Sequence, residues 1–292
     1  MAEIKVLTDT GCDMLDKLAE KGIDFVPLYV TFDGTNYLKQ SKEVSIEEFY
    51  KRLAEKGAFH PKTSCPSLDD YYAEFKKYID EGKGVFFISV NASWSGAYQA
   101  ATLAAGMIKD ENPNAQIEIF DSNSCTYMQY HMCLKAKEMF DNEKSFDDVK
   151  AELEKMKQTM RTFMYVDDLT CMAKSGRVKG ITAQLAALLN IKPILEFKDG
   201  VLGATKKAKG SNKALATVIS DLQEYLDGKN VEDFRFGVVQ GDRLEDAEEF
   251  MKELKETLHT ENVEICKLGV CIGLHAGPSL LGVSLIQVDN LK

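Results

Sequence analysis

The chain lacks most of the features that would assign it at a glance. No apolar run approaches the roughly 18 residues of a membrane-spanning helix, so a protein that does not span the bilayer is expected. The opening MAEIKVLTDT has no apolar signal-peptide core, which points to a cytoplasmic location. Histidine is scarce at 4 copies, and the 7 cysteines (Cys12, Cys65, Cys125, Cys133, Cys171, Cys266 and Cys271) form no CxxC, so no metal site is expected. An odd, scattered set of thiols excludes a disulfide scaffold and suits a reducing compartment. Basic residues are too few: 36 Lys and Arg against 46 Asp and Glu give a net charge of −10, which repels a phosphate backbone and makes nucleic acid an unexpected partner. Walker A, GxGxxG and GxSxG motifs are all missing; residues 93–97 read Ser-Trp-Ser-Gly-Ala.

What is present suits two ordinary globular domains. The 292 residues are 45% apolar and 28% charged. In the first half, apolar runs at Ile4 (IKVLTD), Asp24 (DFVPLYVTF), Val85 (VFFISV) and Ile117 (IEIFDS) alternate with amphipathic stretches, as a parallel sheet with helical crossovers requires. Ser45 with Glu48, Ser67 with Asp70, and Ser145 with Asp148 mark helix starts. The second half reads differently. Asp199-Gly200 between apolar runs predicts a tight hairpin, hence antiparallel pairing. Strands are expected at FRFGVVQ, VEICKL and GVSLIQV, and helices near 183–189, 212–227 and 243–259. The predicted fold is thus α/β in two domains: an N-terminal parallel-sheet domain over 1–160 and a C-terminal α+β domain with a mainly antiparallel sheet over 161–292, with a ligand in the cleft.

Ligands of open parallel sheets collect where strands end and helices begin. Hydroxyl-rich segments fall there: Thr8-Asp9-Thr10-Gly11, Thr63-Ser64-Cys65-Pro66-Ser67, Asn91 to Tyr98, and Asp121-Ser122-Asn123-Ser124. Each can serve as a cap or turn; together they suggest an anion pocket. Two glycine-framed segments stand out in the second half, Lys174-Ser175-Gly176-Arg177-Val178-Lys179-Gly180 and Gly273-Leu274-His275-Ala276-Gly277-Pro278-Ser279. Glycine permits close backbone approach, and histidine can donate to an anion.

Seven segments in order resemble the DegV family of bacterial fatty-acid-binding proteins, which includes the FakB subunits of fatty acid kinase: VLTDTGCDM, KTSCPS, SWSGAYQAA, AKSGRVKG, ALLNIKPIL, KKAKG and GLHAGPSLLGV. The resemblance covers essentially the whole chain. It implies two α/β domains holding a long-chain fatty acid, carboxylate between the domains and acyl chain in the second. It also implies a lipid-binding subunit without catalysis of its own and without a cofactor other than the acid, which a separate ATP-dependent kinase converts to acyl-phosphate for phospholipid metabolism. Carried over motif by motif, Thr63, Ser95, His275 and Ser279 correspond to carboxylate contacts, Ser64 and Gly96 to backbone or supporting contacts, and Arg177 to an arginine that engages the kinase. Leu185, Leu188, Leu189, Ile191, Ile194 and Leu195 are candidate tail-lining residues, while Lys174, Lys179, Lys206, Lys207 and Lys209 extend a basic rim. The alternatives are an acyl hydrolase built on Ser95 and His275, and a carrier of another small acid.

Overall fold

A computed structural model describes residues 3–55, 61–178 and 191–288. The expected helix near 183–189, with Lys179, Leu185, Leu188 and Leu189, lies outside the described residues. The chain forms two compact units, Met1–Lys157 with Gly269–Cys271, and Gln158–Leu268 with Ile272–Lys292. Both are α/β, with a parallel main sheet in the first and a mainly antiparallel sheet in the second.

In the first unit β1 (Ile4–Asp9), β2 (Asp24–Val26), β6 (Gly84–Ser89) and β7 (Ile117–Asp121) make a parallel sheet in the order β2-β1-β6-β7, with the short helix α1 (Leu15–Glu20) joining β1 to β2. Every residue of β6 is buried, the signature of a strand covered on both faces. Its neighbouring phenylalanines show both covers. Phe87 packs on Tyr71 and Phe75 of α3 (Leu68–Asp80), whereas Phe86 faces Phe120, Phe140 and Phe146. The helix α4 (Ala97–Glu111) connects β6 to its parallel neighbour β7, and α5 (Thr126–Asp141) follows β7.

The DFVPLYVTF run is not one strand. It breaks at Pro27 into β2 and β3 (Tyr29–Thr31), and β3 joins β4 (Tyr37–Lys39) and β5 (Lys62–Ser64) in a separate antiparallel sheet of order β4-β3-β5. Proline has no N–H for the ladder, and the next amide, Leu28 N–H, donates to Thr10 Oγ1 at 2.9 Å instead of to a strand. Ser67 before α3 and Ser145 before α6 (Phe146–Thr159) form complete reciprocal caps with Asp70 and Asp148. At Ser45, before α2 (Ile46–Ala54), only the serine half is present, because Glu48 pairs with Arg52 one turn on.

The second unit is a six-stranded sheet, order β10-β9-β8-β13-β11-β12, from β8 (Arg161–Val166), β9 (Ile191–Lys198), β10 (Val201–Lys209), β11 (Phe234–Gln240), β12 (Val263–Lys267) and β13 (Leu280–Gln287). Asp199 and Gly200 close the β9–β10 hairpin at φ 51° and 78°, both positive as a type I′ turn needs. The helices α8 (Ser211–Leu226) and α9 (Leu244–Leu258) cover one sheet face, burying Phe163, Tyr165, Ile194, Phe236, Val238 and Val283 in a common core.

Candidate functional site

Thr63 and Ser64 lie half-buried on β5, with Thr63 paired to Val30 of β3. One carboxylate braces this small sheet. Asp70, in the first turn of α3, accepts from Tyr29 Oη at 2.9 Å, Lys39 Nζ at 3.1 Å and the Ser67 cap. Burial raises its pKa, but the bonds from Ser67, Tyr29 and Lys39 prevail and hold it down at about 2.

Ser95 and Gly96 end the loop that follows β6. Asn91 Oδ1 shapes that loop by accepting from Ser93 N–H and O–H at 2.9 and 2.7 Å, and Asp121 Oδ1 holds Ala92 N–H at 3.1 Å. Ser95 Oγ accepts Ala97 N–H at 3.2 Å where α4 begins, so its own proton is left to donate elsewhere. A Cβ placed on Gly96 would stand 3.6 Å from Cys65 Sγ. Cys65 and Gly96 therefore lie close together within the first unit, and Thr63, Ser64 and Ser95 are near them along the same two segments of chain. Hydroxyl donors beside the open N-terminus of a helix suit an anion.

The other two hydroxyl-rich loops are interior framework. Thr8, Asp9 and Thr10 are fully buried, as are Ser122 and Ser124. Thr8 Oγ1 donates to Ile88 O at 2.8 Å. Asp9 ties three elements together: it accepts Val90 N–H at 2.8 Å, Gly11 N–H at 3.0 Å and Gln129 Nε2 at 3.3 Å. Burial pushes its carboxyl up to about 6 against these bonds. The sequence signals an Asp at a strand end, but not that Gln129, 120 residues away, would close on it. Asp13 lies in the family-like segment VLTDTGCDM, but nothing in the sequence shows that it is buried. It is sealed from solvent, and burial drives its pKa well up, with the Gly269 amide offsetting part of the cost. A Cβ on Gly269 would meet Asp13 Oδ1 at 2.3 Å and Gln40 Nε2 at 2.6 Å, so only glycine fits there.

In the second unit, His275 occupies the last turn of α10 (Val270–Ala276). Gly277, at φ 88°, ends that helix and returns its N–H to Gly273 O at 2.8 Å. Ser279 Oγ accepts Asp168 N–H at 3.0 Å. Arg177 is exposed, and its guanidinium donates to Ser175 O at 2.6 Å, just past α7 (Thr170–Ser175). Lys174, Lys207 and Lys209 are exposed, whereas Lys206 is paired to Asp221. Ile194 is ordinary core beneath α8 and α9. Leu195, opposite Met164, points to the other face of the sheet.

A family model matches residues 3–288, described as the uncharacterised proteins of the DegV family. The chain belongs to the DegV family. Curated relatives of this DegV protein include a DegV domain-containing protein of Clostridium acetobutylicum, 30% identical with 99% of each chain covered, and one of Staphylococcus aureus, 29% identical with 97% of each covered. Among solved structures, a stearic acid-binding protein from Eubacterium ventriosum is 27% identical, covers 98% of both chains and superposes with a TM-score of 0.90. A fatty-acid-binding DegV family protein from Thermus thermophilus is 28% identical over 99% of this chain and 100% of its own, with a TM-score of 0.86. The fatty-acid-binding DegV of Bacillus subtilis is 27% identical over 98% and 100%, with a TM-score of 0.84. Among the described residues of this DegV protein no helix is long and apolar enough to cross a membrane, and no group of three or more His, Cys, Asp or Glu could hold a metal ion.

Proposed function

We propose that this DegV protein binds a long-chain fatty acid and presents its carboxylate to a separate ATP-dependent kinase for conversion to acyl-phosphate, catalysing nothing itself. The observation that carries this reading is the whole-chain likeness to the stearic acid-binding protein, at a TM-score of 0.90. Thr63 and Ser95 of the first unit, with supporting contacts from Ser64 and Gly96, and His275 and Ser279 of the second, are the proposed carboxylate contacts. The tail is assigned to the second unit, on the sheet face turned away from α8 and α9, where Met164 and Leu195 are apolar and buried and Gly282 pairs with Met164.

The energetics favour such a ligand. Burying some fifteen methylenes gains roughly 12 kcal/mol at about 0.8 kcal/mol each. Association removes about 4 kcal/mol or more, which still allows micromolar or tighter binding. A carboxylate stripped of water would cancel that gain without donors to replace its hydration. Neutral hydroxyls supply them without a lysine's charge, so the oxygen stays nucleophilic toward a phosphoryl group. Seven free thiols suit a reducing cytoplasm as the place of action.

Native mass spectrometry of freshly purified protein is expected to show a retained adduct of fatty-acid mass. A protein that arrives empty and ignores added oleate and palmitate refutes the reading. Hydrolysis of an activated acyl ester that disappears in Ser95→Ala would replace it with the hydrolase.

Arg177 is the proposed point of kinase engagement because it is exposed in a locally basic segment of an acidic protein. Arg177→Ala should leave oleate affinity nearly unchanged and slow acyl-phosphate formation with the partner kinase by about tenfold or more. Equal losses in binding and phosphorylation would move Arg177 into the lipid site.

A further inference from the structure

A cation at the start of a helix is badly placed, because the helix dipole puts partial positive charge there. Arg243 sits at that position on α9, directly before Leu244. Its side chain is only 15% exposed, so helix stability does not explain it. Its contacts suggest another role. Nε donates to Asp246 Oδ2 at 2.8 Å, and the guanidinium lies 5.3 Å from the centre of the Tyr165 ring. Nη1 then reaches two places at once, Asp167 Oδ2 at 3.1 Å and the carbonyl oxygen of Ser279 at 3.2 Å.

These two contacts fix both sides of Ser279. Asp167 precedes Asp168, whose N–H donates to Ser279 Oγ at 3.0 Å. A single guanidinium nitrogen thus links the turn after β8 to the backbone of the residue whose hydroxyl that turn engages. The surrounding chain adds to the hold: Asp242 N–H donates to Pro278 O at 2.8 Å, and Gly241 N–H to Leu280 O at 3.0 Å. A Cβ on Gly241 would meet the carbonyl oxygens of Gly277 and Pro278 at 2.6 Å. Asp167 is itself steadied through its other oxygen by Lys192 Nζ at 2.8 Å and Ser211 Oγ at 3.2 Å.

A serine oxygen that accepts an amide N–H has its own proton turned away from that amide. The arrangement therefore sets the direction in which Ser279 can donate. We propose that Arg243 is a positioning residue for the fatty-acid carboxylate: it holds the Asp167–Asp168 turn and the Ser279 backbone together, so that the Ser279 hydroxyl is presented as a donor. This rests on the fatty-acid-binding reading and adds a residue outside all seven family-like segments.

The test uses the full chain, [1-13C]oleic acid as probe, and the variants Arg243→Gln, Arg243→Lys, Asp167→Asn, Ser279→Ala and Arg243→Gln with Ser279→Ala. Oleate affinity and the 13C resonance of the bound carboxyl are the readouts, and thermal unfolding reports whether each variant folds. Arg243→Gln is expected to weaken oleate by about tenfold and to move the carboxyl resonance in the direction that Ser279→Ala moves it. Asp167→Asn should act in the same direction, and Arg243→Lys should restore part of the loss because an ammonium can still donate to one of the two oxygens. The double variant should be no worse than Ser279→Ala alone, since both changes remove one interaction. If wild-type protein ignores oleate, the fatty-acid reading itself fails. If wild type binds but Arg243→Gln leaves the resonance in place, or its effect adds in full to that of Ser279→Ala, the fatty-acid reading survives and Arg243 is an ion-pair residue of the fold.

Discussion

Thr63→Val combined with Ser95→Ala is expected to weaken oleate binding by roughly 100-fold or more. A hydrogen bond to a charged group is worth about 1.5–3 kcal/mol, and each substitution removes one donor proposed to face the carboxylate. Thr63→Val keeps the side-chain shape on β5, and its unfolding curve reports any cost to the fold. Ser95→Ala also removes the acceptor for Ala97 N–H and should cost about 1 kcal/mol of stability as a lost hydrogen bond. Titration of the single and double variants with oleate, beside unfolding curves, separates the two effects. Oleyl alcohol supplies the control: without a charge to satisfy, it should lose far less affinity than oleate. Equal losses for acid and alcohol would mean that these hydroxyls do not hold the carboxylate.

The second large effect concerns stability and pH. Burial lifts Asp9 from 3.8 to about 6, so between those values the folded protein holds a proton that the unfolded chain has released. Stability from this group is present in full below pH 3.8 and is lost as pH rises through about 6. At 1.36 kcal/mol per pKa unit the loss amounts to about 3 kcal/mol between the acid and alkaline limits. Other carboxylates oppose it: Asp70 is depressed and contributes in the reverse sense, its stability being present above 3.8 and lost toward pH 2. The prediction is therefore a difference. Asp9→Asn should cost much more stability at pH 4 than at pH 8, the gap approaching 3 kcal/mol in urea unfolding. A cost that does not change with pH would mean that Asp9 titrates normally and that the Val90, Gly11 and Gln129 bonds just balance its burial.

Much of the architecture could be read from local pattern. The uninterrupted apolar run at Val85 required a strand covered on both faces, and Phe86 and Phe87 do pack in opposite directions. Asp199-Gly200 required positive φ at both positions, and the hairpin has it. Reciprocal caps at Ser67 and Ser145 follow from a spacing of three residues. Where a local rule competed with a longer pattern, the pattern misled. DFVPLYVTF scans as one strand, yet a single missing N–H at Pro27 sends its two halves to different sheets.

The candidate site was legible only in part. Glycine, hydroxyl and histidine motifs mark the loops, because close backbone approach and anion binding demand those residue types locally. The same residue types also build interiors, and sequence alone cannot separate the two uses. Thr8 to Thr10 look like a site and are framework, whereas Thr63 and Ser95 remain partly exposed.

The order of residues alone was enough for the α/β class, the change from parallel to antiparallel pairing and the family. Each rests on periodicity, turn chemistry or ordered motifs that act over a few residues. Folding in three dimensions was needed to bury particular acids, to return Gly269–Cys271 to the first unit, and to bring Arg243 to Ser279 across 36 positions of chain. Those outcomes depend on desolvation and on contacts between distant segments, and neither exists until the chain has folded.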